Sequence, residues 1–511
     1  MAEYKYEILP GEYWWGGTVD DAYLMPFSAE SRYSADLTHN MSYNQVAPLF
    51  LSSRGRYIWA DNGYKITFAD GCITVECDDP VDYCDGAGAR SLRGAFLAAK
   101  KHFPSDGRYP DERMFRVPQY CTWIELLKNQ TQEGVLNYAR SILDSGMPAG
   151  EIIIDNGWQC DFGVWDFNRE RFPDPKEMCR RLHEMGFRVI LWVVPYVSED
   201  TDEYRLLRDK DALIKSPDGG TLGCEWWEGT SAVLDFSAPE AVEWFYAQCD
   251  RLTDSYGIDG FKQDGGDAMF LPDNIVCREA GCNANRQSEL YALSALRFRF
   301  NELRACFKCG GRGLAQRVAD RHHTWDIRFG LGSLIPNTVL QGLLGYPFVC
   351  PDMAGGGLAR YFDGVPADKL DKELFVRSCQ CSALMPMMQL SYAFWRAFDR
   401  RTVDICIGAC MLHADMHRYI MSCVKRAAED GEPIVRNMAY AFGEGETIVD
   451  QFMLGDEYLV APVLEKGVGR RRVTLFSGKW ENCADGAIYD AGEYEFDAPL
   501  DRLLYFKRVR A

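Results

Sequence analysis

The sequence predicts an α/β protein in which a (β/α)8 TIM barrel lies between an N-terminal β-sandwich and a C-terminal β domain. Three observations lead to this prediction. Short alternating segments fill residues 1–112, apolar β-branched runs alternate with amphipathic stretches over residues 113–430, and short strands return over residues 431–511. Alternating strands and helices are typical of a parallel sheet, whereas closely spaced short strands are typical of antiparallel sheets.

The two flanking regions show the same pattern. In residues 1–112 the candidate strands are Gly55 to Trp59, Tyr64 to Phe68 and Gly71 to Glu76. In residues 431–511 they are Tyr458 to Val463, Arg472 to Leu475 and Leu503 to Phe506. Because turn residues separate these short runs, each region is predicted to form an antiparallel β-sandwich.

The central region contains eight candidate strands, the number that a TIM barrel requires. They are Tyr120 to Leu126, Glu151 to Asp155, Arg188 to Pro195, Ala232 to Phe236, Gly260 to Asp264, Leu303 to Phe307, Phe348 to Asp352 and Pro386 to Leu390. Helices are predicted at Gln132 to Ser145, Pro175 to Met185 and Pro239 to Tyr256. Ser237 is the expected N-cap of the third, with Pro239 in the first turn.

Charge and composition exclude several classes of protein. The chain carries 56 basic and 75 acidic residues, a net charge of −19, which disfavours nucleic acid and anionic membranes as partners. No secretory signal and no long apolar run are present, and 19 cysteines are scattered without a disulfide framework. Cys306 and Cys309 form a lone CxxC, expected to be buried thiols. A cytoplasmic location is therefore predicted, and homo-oligomerisation, common among soluble enzymes, stays open.

The sequence favours no metal and no cofactor. Seven histidines occur without a zinc-binding motif, and the glycines Gly355 to Gly357 match neither a P-loop nor a dinucleotide fingerprint. Polar residues at the ends of barrel strands face the active site, and the candidates are Asp155, Trp192, Asp264, Arg304 and Asp352. Carboxylates without a metal or cofactor suit glycosidic cleavage, so a carbohydrate substrate is expected.

Four segments carry a family resemblance. They are Gly257 to Gly266 (GIDGFKQDGG), Phe172 to Pro195, Gln341 to Gly357 and Asp450 to Val463. In this order they resemble glycoside hydrolase family 31. The resemblance implies a retaining α-glycosidase that works by double displacement, with Asp264 as the nucleophile. Lys262 lies two residues before Asp264 on the same strand and is expected to favour its ionised form.

The same resemblance places the general acid. The stretch Leu303 to Asp320 aligns with a family segment that begins with an arginine and ends at the acid, so Arg304 and Arg312 match family arginines and Asp320 matches the acid. The residues with which this segment usually ends in the family are replaced here by Arg-Val-Ala-Asp-Arg, residues 317–321. Asp326 is the rival acid. The altered ending at residues 317–321 resembles the family branch that includes the myogenesis-regulating glycosidase and small bacterial relatives. That branch is associated with α-galactosides.

Substrate contacts are also implied by the resemblance. Asp155 and Asp352 are the expected acceptors of sugar hydroxyls, and Trp192 is the expected wall of the pocket. Trp14 and Trp15 are expected to fold over the rim, and Trp325, in a loop, offers a flat ring for stacking on a sugar. These residues complete the predicted binding site.

The preferred sugar is inferred from the eighth strand. Family members that act on α-glucosides usually place Arg-x-His at its end, whereas Met387 to Ser391 (MMQLS) stands here. A sugar hydroxyl left without its partner costs about 1–3 kcal/mol, so terminal α-galactosides are predicted. An α-glucosidase, a sulfoquinovosidase, an α-N-acetylgalactosaminidase, a transglycosylase and a catalytically silent sugar-binding protein remain as alternatives.

Overall fold

The N-terminal region forms two antiparallel sheets of four strands each. The computed structural model describes residues 2–88 and 90–509. The strands are β1 (Ala2–Glu7), β2 (Trp14–Thr18), β3 (Tyr33–Asp36), β4 (Val46–Ser52), β5 (Tyr57–Trp59), β6 (Lys65–Ala69), β7 (Cys72–Cys77) and β8 (Asp82–Cys84). Their order is β1-β7-β6-β3 in one sheet and β2-β4-β5-β8 in the other. Phe50 and Phe68, one from each sheet, have ring centroids 5.6 Å apart, so the sheets pack face to face.

Eight parallel strands form the central barrel and confirm the predicted fold class. They are β9 (Gln119–Cys121), β10 (Glu151–Ile154), β13 (Arg188–Val193), β17 (Gly260–Gln263), β18 (Phe300–Leu303), β19 (Gln316–Arg317), β20 (Val349–Cys350) and β21 (Gln389–Leu390). The order is β21-β9-β10-β13-β17-β18-β19-β20. At the seam, the Ala354 N–H donates to the Gln389 carbonyl at 2.8 Å, which brings the two end strands together.

Helices connect the barrel strands and continue beyond them. The first eight are α1 (Leu92–Ala99), α2 (Trp123–Leu126), α3 (Gln132–Asp144), α4 (Pro175–Glu184), α5 (Asp202–Asp209), α6 (Pro239–Tyr256), α7 (Ala284–Ser294) and α8 (Leu334–Leu343). The rest are α9 (Lys372–Ala383), α10 (Phe394–Ala397), α11 (Arg400–Asp415), α12 (His417–Asp430) and α13 (Met438–Phe442). The N-cap of α6 is Ala238, not Ser237, because the Ser237 hydroxyl donates to Asp235 at 2.5 Å.

One predicted barrel strand is wrong and another was missed. Residues 232 and 233 end strand β16 (Gly229–Val233), which pairs antiparallel with β14 (Tyr196–Val197) and β15 (Cys224–Trp226) outside the barrel. A separate hairpin consists of β11 (Gln159–Asp161) and β12 (Val164–Phe167). The true sixth barrel strand, β19, has two residues. Such a short strand has no periodicity for a sequence pattern to reveal.

The strands of the C-terminal region are hydrogen-bonded into one antiparallel sheet, and the predicted sandwich stays a prediction. The strands of this sheet are β22 (Val435–Arg436), β23 (Phe452–Leu454), β24 (Tyr458–Val460), β25 (Arg470–Asn482), β26 (Ile488–Asp497) and β27 (Tyr505–Val509). The long strand β25 pairs with both β26 and β27, and this double pairing keeps the six strands in a single sheet. The exact domain boundaries at residues 112 and 430 stay predictions.

Two further expectations concern membranes and thiols. Over residues 2–88 and 90–509, no helix has the length and apolarity needed to cross a bilayer. All 19 cysteines are free, and Cys306 and Cys309 are both buried, as expected for the lone CxxC.

Candidate active site

A cavity of about 520 Å³ opens at the carboxyl ends of the barrel strands. Six of the residues predicted from the sequence line it: Asp155, Trp192, Lys262, Asp264, Arg304 and Asp320. They lie on five neighbouring strands, β10, β13, β17, β18 and β19, or within three residues after the ends of these strands. In a TIM barrel this is the face where active sites are built.

Asp264 stands directly after β17 and is held by three donors. Its own N–H donates to the Val193 carbonyl at 2.9 Å, which extends the pairing of β17 with β13 by one residue. Its Oδ1 accepts from Arg304 Nε at 2.6 Å and from the Gly265 N–H at 2.9 Å. Its Oδ2 accepts from Trp192 Nε1 at 2.9 Å. The carboxylate is therefore fixed in both position and plane.

These neighbours keep Asp264 ionised. Burial acts to raise its pKa, but the positive charges of Arg304, Lys262 and Arg317 and the Trp192 hydrogen bond outweigh burial, and the pKa lies well below its usual range. The predicted effect of Lys262 on Asp264 is part of this balance. The carboxylate is ionised and oriented, and its Oδ2 accepts only one hydrogen bond. Such an oxygen is suited to nucleophilic attack.

Lys262 and Asp155 form a buried ion pair beside Asp264. The Lys262 ammonium lies 2.8 Å from Asp155 Oδ2, and their side chains are 4% and 5% exposed. Burial alone would lower the pKa of Lys262, but Asp155 raises it above its usual range. Lys262 is therefore charged, and because both residues line the cavity the pair presents polar atoms to a ligand.

Arg304 links the nucleophile candidate to a second buried carboxylate. Besides Asp264, its guanidinium donates to both oxygens of Asp267, at 2.6 and 2.9 Å. Burial raises the pKa of Asp267, although Arg304 opposes this. Asp267 is thus a structural partner of Arg304.

Asp320 follows β19 and has different surroundings from Asp264. Its Oδ1 accepts from Arg317 at 2.9 Å, and its side chain is 33% exposed. Within the described part of the chain, its Oδ2 has no hydrogen-bond partner. A carboxyl group with one free oxygen facing a cavity can carry and deliver a proton.

Arg317 was not singled out from the sequence, yet it organises this side of the site. Its side chain is 1% exposed, and Nη1 donates to Asp320 and, at 2.6 Å, to Asp352. Its Nε lies 3.2 Å from Glu302 of β18. One buried guanidinium therefore compensates three carboxylates, an arrangement that only the tertiary structure reveals.

Asp352 is not the hydroxyl acceptor that was predicted. It is buried and does not line the cavity, because Arg317 and the Arg321 N–H, at 2.7 Å, occupy its two oxygens. Burial raises its pKa, against the effect of Arg317. Asp352 acts on the site through Arg317.

The rival acid, Asp326, lies in an exposed turn outside the cavity. Its carboxylate accepts from the N–H groups of Arg328 and Phe329 at 3.0 and 2.7 Å. Burial acts to raise its pKa, but these hydrogen bonds and one from Thr324 lower it. Asp326 lies outside the cavity and its lowered pKa keeps it ionised. Both properties make it a poorer candidate for the general acid than Asp320.

Four other predicted residues lie away from the cavity. Trp14 and Trp15 are 0% and 4% exposed in the hydrophobic core that contains the N-terminal sheets, so they cannot cover a rim. Trp325 donates to Asp371 at 3.0 Å, and Arg312 lines a separate cleft beside His102. Apolar tryptophans of a β domain pack its core, and sequence alone does not distinguish them from ligand-stacking ones.

Several cavity-lining residues were not predicted as site residues. They are Asp20, Tyr43, Trp123, Asn156, Trp227, Ala319, Arg321, His322, Phe329, Leu358, Ala359 and Arg360. Asp20 and Tyr43 belong to the N-terminal region, so their approach depends on domain packing. Trp227 is 44% exposed and packs over Arg304 at 5.3 Å, which leaves an aromatic face at the cavity. An aromatic residue in a barrel loop was the one available signal.

The eighth strand contributes no side chain to the cavity lining within the described residues. Gln389 donates to Gln119 at 3.0 Å and to Glu302 at 2.7 Å. The Ser391 hydroxyl accepts from the Ile124 N–H at 2.7 Å. The Gln389 amide nitrogen and the Ser391 hydroxyl oxygen are thus bonded inside the protein, and both side chains are fully buried.

Within residues 2–88 and 90–509, no group of three His, Cys, Asp or Glu side chains could hold a metal ion. The candidate site brings two carboxyl groups with contrasting surroundings into one cavity, Asp264 with three hydrogen-bond donors and Asp320 with one oxygen free. On a TIM barrel, this arrangement is typical of glycosidases.

Comparison with known proteins agrees with this class. Residues 118–397 match the glycosyl hydrolases family 31 TIM-barrel domain, and residues 431–509 match the family's C-terminal domain. Myogenesis-regulating glycosidase of Mus musculus is 31% identical over 502 residues, covering 96% of this chain and 69% of that protein. The chain therefore belongs to glycoside hydrolase family 31, in the branch of that relative.

Two α-xylosidases are more distant relatives. Alpha-xylosidase XylQ of Lactiplantibacillus pentosus is 24% identical, covering 89% of this chain and 62% of that protein. The crystal structure of a family 31 α-xylosidase from a soil metagenome, complexed with xylose, superimposes with a TM-score of 0.85 at 21% identity. It covers 100% of this chain and 79% of that one. This similarity supports the fold.

Proposed function

We propose that the protein is a retaining α-glycosidase that hydrolyses terminal α-galactosides, with Asp264 as nucleophile and Asp320 as general acid and base. The main support is the contrast between Asp264 and Asp320, two of the carboxyl groups that line the cavity. Arg304 and Trp192 fix an ionised Asp264, whereas Asp320 keeps one oxygen free. This is the division of roles that double displacement requires.

The proposed reaction proceeds in two displacements. Asp264 Oδ2 attacks the anomeric carbon, the bond to the leaving oxygen breaks, and Asp320 gives its proton to that oxygen. Asp320, now ionised, then takes a proton from water, whose oxygen attacks the anomeric carbon and releases Asp264. Trp192 and the pair formed by Lys262 and Asp155 are proposed to hold the sugar during both steps.

The galactose assignment rests on the eighth strand. Because Gln389 and Ser391 are fully buried and do not line the cavity, the strand end lacks the partner that a glucoside's hydroxyls would find in an Arg-x-His sequence. This absence removes one source of preference for equatorial O4. Xylosides are the main competing substrates, since two similar proteins are named α-xylosidases.

Initial rates on aryl α-glycosides test the sugar. The panel contains the galactoside, glucoside, xyloside, N-acetylgalactosaminide and sulfoquinovoside, with Asp264→Asn measured in parallel as the background. We expect the galactoside to have the highest kcat/KM, by about tenfold, which corresponds to about 1.4 kcal/mol. A higher value for the glucoside or xyloside would contradict the galactose assignment and leave the mechanism standing. Binding without turnover of any glycoside would favour a silent sugar-binding protein.

The lowered pKa of Asp264 predicts the acidic limb of the pH profile. A lowered pKa keeps the nucleophile ionised to lower pH, so kcat/KM should stay level as the pH falls through 3.8, the ordinary value for aspartate. In Arg304→Gln/Asp267→Asn, which removes the ion pair as a whole, the pKa should rise and move this limb upward by about 1–3 units.

The control for this profile is Arg312→Gln, because Arg312 lies in the separate cleft. It should keep the wild-type limb. The pH profile is measured only over the pH range in which circular dichroism shows that each variant is folded. An unchanged limb in the double variant would mean that Arg304 does not set the ionisation of the nucleophile.

A further inference from the structure

A short segment of the N-terminal region holds the barrel close to both candidate catalytic residues. This segment, residues 43–46, precedes and begins β4, and we name it the clasp. The Val46 N–H donates to the Cys306 carbonyl at 3.0 Å, and the Lys308 N–H donates to Val46 at 2.8 Å. The Tyr43 carbonyl accepts from Arg304 Nη1 at 2.7 Å. The clasp thus joins the loop that carries Arg304.

Asn44 extends this contact to the loop of the acid candidate. Its side chain is 0% exposed. Its Oδ1 accepts from the N–H of Ala319, the residue before Asp320, at 2.7 Å, and its Nδ2 donates to Asp20 at 2.5 Å. Both ends of this amide are therefore used, which fixes its orientation.

Gln45 holds the strand that leads to the same loop. Its Nε2 donates to Gln316 Oε1 at 2.9 Å and to the Arg317 carbonyl at 3.0 Å. Together, Gln45 and Asn44 bond the chain at three points within the four residues before Asp320. The hydrogen bonding between β19 and β20 ends at the Val318 N–H, which donates to the Cys350 carbonyl at 2.9 Å, so Ala319 depends on Asn44 for a partner to its N–H.

We propose that Asn44 is a positioning residue for the general acid, acting through the peptide N–H of Ala319. This inference rests on the proposed role of Asp320. The hydrogen bond fixes the peptide between Val318 and Ala319, one residue before Asp320. Arg321 Nε donates to the Ala319 carbonyl at 2.6 Å and holds the next peptide, while Arg317 holds one carboxyl oxygen of Asp320. A proton donor must lie within hydrogen-bond distance of the leaving oxygen, so loss of this bond impairs protonation of the leaving group.

A comparison of leaving groups distinguishes positioning from general stabilisation. For the sugar preferred in the panel, kcat/KM is measured with the alkyl α-glycoside, whose leaving group needs a proton, and with the α-glycosyl fluoride, whose leaving group does not. The ratio of the two values is independent of the folded fraction of enzyme, since both substrates are measured on one preparation. A purely structural role would leave this ratio unchanged.

Asn44→Ala is expected to lower the alkyl-to-fluoride ratio by about tenfold, and Asp320→Ala by about 10²–10⁴-fold. Asn44→Asp/Asp20→Asn keeps an oxygen acceptor for Ala319 and exchanges the donor and acceptor of the bond to residue 20, so it should restore part of the ratio. The matched control is Asn285→Ala. Asn285, on α7, bonds the Leu37 and Thr38 carbonyls at 3.1 Å and so anchors the chain before the clasp without contacting residue 319.

The outcomes separate this inference from the proposed function. If Asp320→Ala lowers the ratio and Asn44→Ala does not, Asn44 has no positioning role and Asp320 remains the acid. If Asp320→Ala leaves the ratio unchanged, the assignment of the acid is wrong and the inference falls with it. An equal loss in Asn285→Ala and Asn44→Ala would show that anchoring of the whole segment, and not the bond to Ala319, is responsible.

Discussion

Replacement of Asp264 by asparagine is expected to lower kcat/KM by about 10⁴-fold or more on any substrate of the enzyme. The amide has almost the same shape, and its oxygen can still accept from Arg304, but it lacks the negative charge that attacks the anomeric carbon. Arg304 keeps Asp267 as an ionic partner, so the fold should survive. Steady-state kinetics and the unfolding temperature provide the measurement.

The matched control for this variant is Asp326→Asn. Asp326 is exposed, and its bonds to the turn N–H groups can be kept by the asparagine oxygen, so kcat/KM should stay within about twofold of wild type. Substantial activity in Asp264→Asn would contradict the assignment of the nucleophile. A large loss in Asp326→Asn with Asp320→Asn unaffected would contradict the assignment of the acid.

The second large effect is expected on stability, in Arg317→Met. The buried guanidinium lies among Asp320, Asp352 and Glu302, and its removal leaves buried carboxylates without a counter-charge. Removing one partner of a buried ion pair lowers the free energy of unfolding by about 3–5 kcal/mol. Thermal unfolding should show a clearly lower midpoint, and less folded protein should accumulate.

Neutralising the partners should reverse this loss in part. In Arg317→Met/Asp352→Asn/Glu302→Gln, the carboxylates that Arg317 compensated in the interior are replaced by amides, and the midpoint should rise above that of the single variant. A single variant as stable as wild type would show that Arg317 does not compensate these groups. The same would follow if the triple variant were less stable than the single one.

The sequence contained enough information to predict the barrel and the site residues at the ends of its most recognisable strands. Asp155, Lys262 and Asp264 stand on or directly after strands whose apolar runs are easily recognised, and strand ends of a barrel meet at one face. The segment 232–236 was misplaced because an apolar run has the same appearance in an antiparallel hairpin and in a barrel strand.

The remaining part depends on long-range contacts. Asn44 and Arg317 are ordinary polar residues in sequence, and their roles arise only when the N-terminal region packs on β18 and β19. Conversely, Trp14 and Trp15 fill a core, and Asp352 serves Arg317 instead of a sugar. A pattern of residue types indicates which chemistry is available, but burial and partners decide which residue performs it.

The central claim is that Asp264 is the covalent nucleophile of a retaining enzyme. It is tested most directly by trapping the glycosyl-enzyme with a 5-fluoro-α-glycosyl fluoride of the preferred sugar, followed by peptide mass spectrometry. If Asp264 is the nucleophile, we expect one added glycosyl mass on the peptide that contains Asp264, and none in Asp264→Asn. A label on Asp320 or Asp155, or hydrolysis of the substrate to the β-anomer without any label, would contradict it.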